Sequence, residues 1–203
     1  NKNHLPPNAY WGLEYSPVNI ASRKRETVMK KNDLRILVAL GGDKGTDNII
    51  KVVNSVLDIN SIKNIDILSS PVNSIANNGL IFNSKKRINI IKNILNIERN
   101  LIKYDLIIAS YGHLAYEGMA LGVPVCVVGQ KQFQANFAND LSKKGVCISI
   151  GDIRYAELSQ IKHKISETIK YQVQLVKKAK ILLDGKGLER ISNIILSKHE
   201  KLV

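Results

Sequence analysis

The sequence predicts an α/β fold, a doubly wound parallel sheet of about six strands with a helical C-terminal tail. Three observations carry that expectation. Short apolar runs recur along the chain and are near-continuous rather than alternating, as strands buried on both faces require. Segments with a 3.6-residue apolar period lie between them. After Asp152 the strand pattern stops, while helical periodicity continues to about Ser197.

Residues 1–33 are irregular, with Pro6-Pro7, Pro17 and a charged stretch from Arg23 to Lys31, and read as a linker or an arm packed on the surface. Residues 34–203 hold the regular pattern. Leu34 to Leu40 (LRILVAL) is a buried strand that ends in the turn Gly41-Gly42. Thr46 can cap a helix to about Leu57, in which Ile49, Ile50, Val53 and Val56 share a face. Ile65 to Leu68 and Ile88 to Ile91 are the second and third strands, and Asn96 caps a helix through Tyr104. Leu106 to Ser110 (LIIAS) is the fourth strand, followed by a helix from His113 to Leu121. Val123 to Val128 is the fifth, with a helix from Gln132 to Lys144, and Val146 to Ile150 is the sixth. The helical tail from about Tyr155 is interrupted at Asp184-Gly185-Lys186-Gly187.

Of the 203 residues 44% are hydrophobic, enough for a core, which excludes wholesale disorder. No apolar run reaches the roughly 18 residues of a membrane-spanning helix. Asn1 to Pro7 has no apolar stretch, so no signal peptide is expected and a cytoplasmic location is. The only cysteines, Cys126 and Cys147, form no CxxC, which argues against a disulfide scaffold or a cysteine-ligated zinc. Both fall in expected strands as small core residues. The first residue is Asn rather than Met, so the chain reads as part of a longer protein.

Thirty Lys and Arg against 17 Asp and Glu leave a net charge of +13, which invites a nucleic-acid reading. Composition offers another source. The chain holds 28 Ile, 20 Asn and 23 Lys, residues that share A/T-rich codons. The basic residues are scattered, and the clusters Arg23-Lys24-Arg25 and Lys85-Lys86-Arg87 are short. Aromatics, at 5%, do not interleave with them, so no stacking platform for bases is visible. Nucleic acid is therefore not an expected partner, and a phosphate-bearing small ligand remains open.

In such a sheet, ligands bind beyond the carboxyl ends of the strands, near the point where strand order reverses. Gly41-Gly42 after the first strand lets backbone N–H groups approach a phosphate, or simply makes a tight turn. It belongs to neither a GxGxxG fingerprint nor a P-loop. After the fourth strand, Gly112 and His113 open a helix and can offer amides to an anion. Glu117, one turn in, can accept both hydroxyls of a ribose or compensate the helix dipole. His113 can bind phosphate, act as a general acid or base, or be a plain polar loop residue. After the fifth strand, Gln130, Lys131, Gln132 and Gln134 suit phosphate or sugar hydroxyls, or an ordinary solvated helix start. Asp184 to Arg190 reads as structural, with glycines ending one helix and starting the next.

Four segments together resemble a known family. They are LRILVALGG (Leu34 to Gly42), DLIIASYGHLAYEGMALGVPV (Asp105 to Val125), the Gln and Ala-Asn spacing of the helix after the fifth strand, and DGKGLER (Asp184 to Arg190). They resemble the C-terminal half of GT-B-fold nucleotide-sugar enzymes, above all the UDP-sugar hydrolase of pseudaminic acid biosynthesis and its spore-coat polysaccharide relatives. The N-acetylglucosaminyltransferase that makes lipid II is a more distant likeness. The resemblance runs from roughly Tyr15 to the C-terminus; Gly112, Glu117, Gly122 and Pro124 are in register, and DGKGLER favours the hydrolase branch.

The resemblance implies a Rossmann-like half of a GT-B fold that binds a UDP-sugar, with no cofactor and no metal. Gly41 and Gly42 would face the diphosphate, and Gly112 and His113 would present amides to it. Glu117 would bind the ribose hydroxyls, the backbone near Asn93 and Ile94 the uracil, and Gln134 phosphate or sugar. Two departures matter. Tyr111-Gly112-His113 stands where hydrolase relatives have Gly-Gly-Ser, and the loop Gly129 to Gln132 lacks an Asp-Asn pair before the Gln. Nothing here matches the family's N-terminal half, with its glycine-rich loop and catalytic His. The implied function is thus the UDP-sugar-binding half of a hydrolase that releases UDP from an amino-deoxy sugar. It would partner an absent N-terminal half and, apart from His113, hold no catalytic residue. The donor half of a glycosyltransferase and a non-catalytic binding domain are the alternatives.

Overall fold

In a computed structural model, residues 6, 9–18, 32–41, 46–69, 86–92 and 97–199 are described. Among them, six strands form one sheet in the order β3-β2-β1-β4-β5-β6. The strands are β1 (Leu34–Ala39), β2 (Ile62–Ser69), β3 (Arg87–Lys92), β4 (Leu106–Ser110), β5 (Val125–Gly129) and β6 (Ile148–Asp152). All pair in parallel. Between and after them run α1 (Thr46–Val56), α2 (Glu98–Leu101), α3 (His113–Leu121), α4 (Gln132–Lys143), α5 (Leu158–Lys170), α6 (Gln172–Leu182) and α7 (Gly187–His199). The expected doubly wound α/β fold with its helical tail is present.

Alternation along each strand separates two cores. Leu34, Ile36 and Val38 of β1 face one way, with Ile65 and Ile67 of β2 and Ile108 of β4, and are covered by α1 and α5. Leu37, Ala39, Ile107, Ala109, Val125 and Val127 face the other way, against α3, α4 and α6. On that second face, β2 carries a charge where an apolar residue would be usual. Asp66, fully buried, accepts from Arg35 Nε (2.9 Å) and Nη2 (2.6 Å), Asn89 Nδ2 (2.8 Å) and Tyr104 Oη (3.0 Å). Four donors replace the water this carboxylate has lost. Burial, then the Asp66 charge, push the Tyr104 hydroxyl up to about 12.

Several boundaries differ from the sequence expectation, each for a backbone reason. The fifth strand starts at Val125, not Val123, because Val123 N–H is spent on Gly118 O (2.9 Å) and Pro124 has none. The sixth starts at Ile148, not Val146. Gly145 N–H still closes the end of α4 on Ser142 O (2.9 Å), so Val146 and Cys147 only bring the chain into the sheet. Cys147 therefore lies just before β6, still fully buried, and Cys126 lies in β5. The second strand begins at Ile62, which pairs with Leu34. The helix expected from Asn96 to Tyr104 is reduced to α2, after which Lys103 and Tyr104 close successive turns on Asn100 O and Leu101 O. Asn96 itself lies outside the described residues, and Thr46 is the first residue of α1 rather than its cap.

The described part of the arm is tied down. Leu13–Tyr15 form a short 3-10 turn. Leu13 and Val18 are buried in the core that includes α3 and α6. At the start of α7, Gly187 backs directly onto the Ser16 backbone; a Cβ there would sit 2.0 Å from Ser16 O. Arg190 grips the turn, donating through Nη1 to Glu14 O (2.9 Å) and to Asp184 Oδ1 (2.8 Å). The motif DGKGLER thus ends α6, starts α7 and clamps the arm, which agrees with its structural reading.

Candidate functional site

Strand order reverses between β1 and β4: β2 and β3 lie to one side, β5 and β6 to the other. In sheets of this kind the crevice that takes a ligand lies over the carboxyl ends of the strands at that reversal. Gly41 sits at its edge with φ 53°, a left-handed conformation that favours glycine, and open space lies where a side chain would be. Ser110, the last residue of β4, donates its hydroxyl to Leu40 O. Gln130, one residue past β5, reaches across both. Its Nε2 donates to Ser110 Oγ (2.7 Å), Gly41 O (3.1 Å) and Leu40 O, and its Oε1 accepts from Asn48 Nδ2 of α1 (3.4 Å). One side chain thereby ties together the ends of three strands. The sequence marks Gln130 only as one of several amides, because its partners lie 89 and 20 residues away.

The starts of α3 and α4 differ. Gln134 accepts on Oε1 from Gln130 N (3.0 Å) and Lys131 N (3.2 Å), so its carbonyl is engaged in closing the entry to α4. That leaves its Nε2 as the group that can address a ligand. Gly112, the N-cap of α3, makes no side-chain cap hydrogen bond, and its backbone is extended. Ala115 N–H makes the first bond of the helix, to Gly112 O (3.1 Å), so the amides of His113 and Leu114 before it have no acceptor further back in α3, and the positive end of its dipole lies there. His113 is the first residue of α3 and is exposed. Glu117 is its fifth residue, partly buried, and α3 has no acidic residue in its first turn. The dipole-compensating reading of Glu117 is therefore weakened. Gly42, Asn93 and Ile94 lie outside the described residues.

Beside α3 lies a cavity of about 430 Å³, whose walls include Trp11, Tyr15, Tyr111, Gly112, His113 and Tyr116. Tyr111 stacks on Phe137 of α4 (5.4 Å, 18°) and meets Tyr116 edge-on (5.9 Å). The Tyr111 and Tyr116 hydroxyls are 3.0 Å apart. Burial, then the hydrogen bond to Tyr111, push the Tyr116 hydroxyl well above its ordinary range. Tyr111, which replaces the small residue that the resemblance leads one to expect, is thus built into an aromatic wall. Among the described residues, no group of three or more His, Cys, Asp or Glu could hold a metal ion, and no helix is long and apolar enough to cross a membrane.

Six parallel strands in this order, with helices on both faces and a tail returning over the sheet, are the architecture of a GT-B glycosyltransferase domain. Particular proteins share it. MurG of Acinetobacter baumannii superposes with a TM-score of 0.68 at 18% identity, over 96% of this chain and 58% of that one. The spinosyn rhamnosyltransferase SpnG does so with a TM-score of 0.64 at 19% identity, over 88% and 49%, and has also been solved with thymidine diphosphate. In sequence, the spore coat polysaccharide biosynthesis protein SpsG of Bacillus subtilis is 23% identical over 202 residues, 95% of this chain and 59% of that protein. The chain thus spans about half the length of the proteins it resembles. No family model matches it.

Proposed function

We propose that this chain is the nucleotide-sugar-binding part of a GT-B-type enzyme of surface polysaccharide synthesis, with residues 34–203 as the binding domain and 1–33 as its arm. The observation that carries the reading is the uncapped N-terminus of α3 at the reversal of strand order, with Glu117 one turn further on. A diphosphate at the first-turn amides gains both hydrogen bonds and the helix dipole. A ribose placed along the helix brings its two hydroxyls to the Glu117 carboxylate. Gly41 lets the end of β1 approach the same phosphates, while Gln130 holds that edge in place. A relative named for polysaccharide synthesis and a fold neighbour solved with thymidine diphosphate fit this reading.

In the complete enzyme, the bond between the anomeric carbon and the diphosphate oxygen breaks, and UDP leaves with the bonding electrons. Donors already aimed at that oxygen lower the barrier, because they need no reorganisation as charge develops. An acceptor hydroxyl would take the sugar in a transferase; water would take it in a hydrolase. The donor-binding, transferase-like reading has the wider support from fold neighbours. The segment Asp184 to Arg190 favours a UDP-sugar hydrolase of the pseudaminic type.

Calorimetry with UDP, UMP and ADP tests the binding step. We expect UDP to bind more tightly than UMP, because the second phosphate reaches the α3 amides, and more tightly than ADP if the base site selects uracil. Glu117→Ala should weaken UDP by at least about tenfold, the loss of a charge-assisted hydrogen bond worth roughly 1.5–3 kcal/mol. Absence of binding to any of the three at millimolar concentration would remove the nucleotide reading. UDP release by the full-length protein, with and without an acceptor, separates hydrolase from transferase.

A further inference from the structure

We propose that the cavity between the arm and α3 is a subsite for a pyranose ring, the sugar half of the ligand whose nucleotide half the previous reading places at α3; the proposal rests on that reading. Three observations lead to it. The cavity is lined by both aromatic rings and polar groups. Trp11 and Tyr15 from the arm and Tyr111 and Tyr116 from the sheet side supply rings, while the Tyr111–Tyr116 hydroxyl pair and His113 supply polar groups. A pyranose has the matching character, with C–H groups on its faces and hydroxyls around its edge. Aromatic walls with a few placed polar groups are the usual make-up of a small-ligand site, and about 430 Å³ lies within the range of such sites.

The second observation is position. Gly112 and His113 line the cavity and also form the start of α3. Tyr116 and Glu117 are successive residues and so lie about 100° apart around the helix; His113, one turn earlier, falls between them. A ligand with its phosphates at the helix start therefore has a ribose side, towards Glu117, and a second side about 100° round the helix, towards Tyr116. The aromatic cavity is on the Tyr116 side.

The third is rigidity. The arm contributes Tyr10, Trp11 and Tyr15 to the lining and is anchored by buried Leu13 and Val18, by the close Gly187–Ser16 contact and by Arg190 on Glu14 O. A wall set in place before binding spares the ordering cost that a mobile loop would add.

Trp11 is the only tryptophan in the chain and is about half exposed, so its emission reports directly on the cavity. The experiment titrates the chain with UDP, UDP-glucose, UDP-N-acetylglucosamine and UDP-N-acetylgalactosamine, following tryptophan emission and heat in parallel. At least one UDP-sugar should shift or quench Trp11 emission at saturation where UDP does not. Trp11→Ala and Tyr15→Ala should weaken that UDP-sugar by about three- to tenfold, as for the loss of one aromatic contact, and leave UDP unchanged. Trp11→Phe should restore most of the affinity. If UDP binds but no UDP-sugar moves the emission, or the arm variants leave all four affinities unchanged, the subsite does not exist. If UDP itself fails to bind, the nucleotide reading falls and takes this one with it, a result told apart by its UDP arm.

Discussion

Gly187→Ala tests the clamp between the arm and α7. A Cβ at this position would lie 2.0 Å from Ser16 O, 2.7 Å from its carbonyl carbon and 2.9 Å from its nitrogen. Carbon and carbonyl oxygen approach no closer than about 3.3 Å even in weak hydrogen bonds, so the two segments must separate by about 1.3 Å. The contact is with backbone, and no flexible side chain can absorb it. Overpacking of this kind costs about 2–3 kcal/mol, and the better helix propensity of alanine returns less than about 1 kcal/mol. The net loss is about 1–2 kcal/mol. If the arm peels away entirely, burial of Leu13 and Val18 is forfeited, which sets an upper bound of roughly 3–6 kcal/mol. In a domain of this size the net loss lowers the melting temperature by about 2–8 °C. Thermal unfolding followed by circular dichroism measures this, and limited proteolysis should show faster cleavage in the arm. An unchanged melting temperature together with unchanged cleavage would show that α7 and the arm do not meet as described.

Other consequences follow from the polar networks. Gln130→Leu removes the links from Gln130 to Ser110 and Gly41, so it should lower stability by about 1–2 kcal/mol and weaken UDP binding by loosening the β1 edge, measured by denaturant unfolding and calorimetry. Arg35→Met leaves the Asp66 carboxylate buried without its cation; a loss of about 3 kcal/mol is expected, at the low end for a broken pair because the Arg35 side chain is 45% exposed. In an alkaline ultraviolet titration of the seven tyrosines, Tyr104 and Tyr116 should ionise last. Because the folded Tyr104 value is raised to about 12, its contribution to stability is complete below the ordinary tyrosine value near 10 and is lost as pH rises through about 12. Asp184 behaves in the opposite sense. Hydrogen bonds from Arg190 hold its carboxyl well below the ordinary range, so the clamp is intact above about pH 4 and weakens as pH falls further; Trp11 emission should report the release of the arm, and Arg190→Ala should abolish that acid transition.

What could be read in advance follows physical rules. β4 and α3 occupy the residues expected of them. Their apolar run is short and dense, and Gly112 and Gly122 mark the helix ends without competition. β6 is displaced by two residues, because the hydrogen bonds that finish α4 are invisible in an apolar run that already begins at Val146. Asp66 lies inside the second strand and is the centre of a buried network not identified from the sequence, because Arg35, Asn89 and Tyr104 come from other segments. The role of Gln130 and the aromatic cavity were unreadable for the same reason: each joins residues far apart in sequence that only the sheet order and the arm bring together.

The bond from Arg190 to Glu14 joins residues 176 positions apart. So long a loop closes late, after the sheet and its helices have formed, since loop-closure entropy must be met before such a contact contributes. The wall of the cavity is therefore among the last structures to form during folding. Because Gly187 and Arg190 hold that wall, a change in the last helix reaches the cavity without touching any residue that lines it.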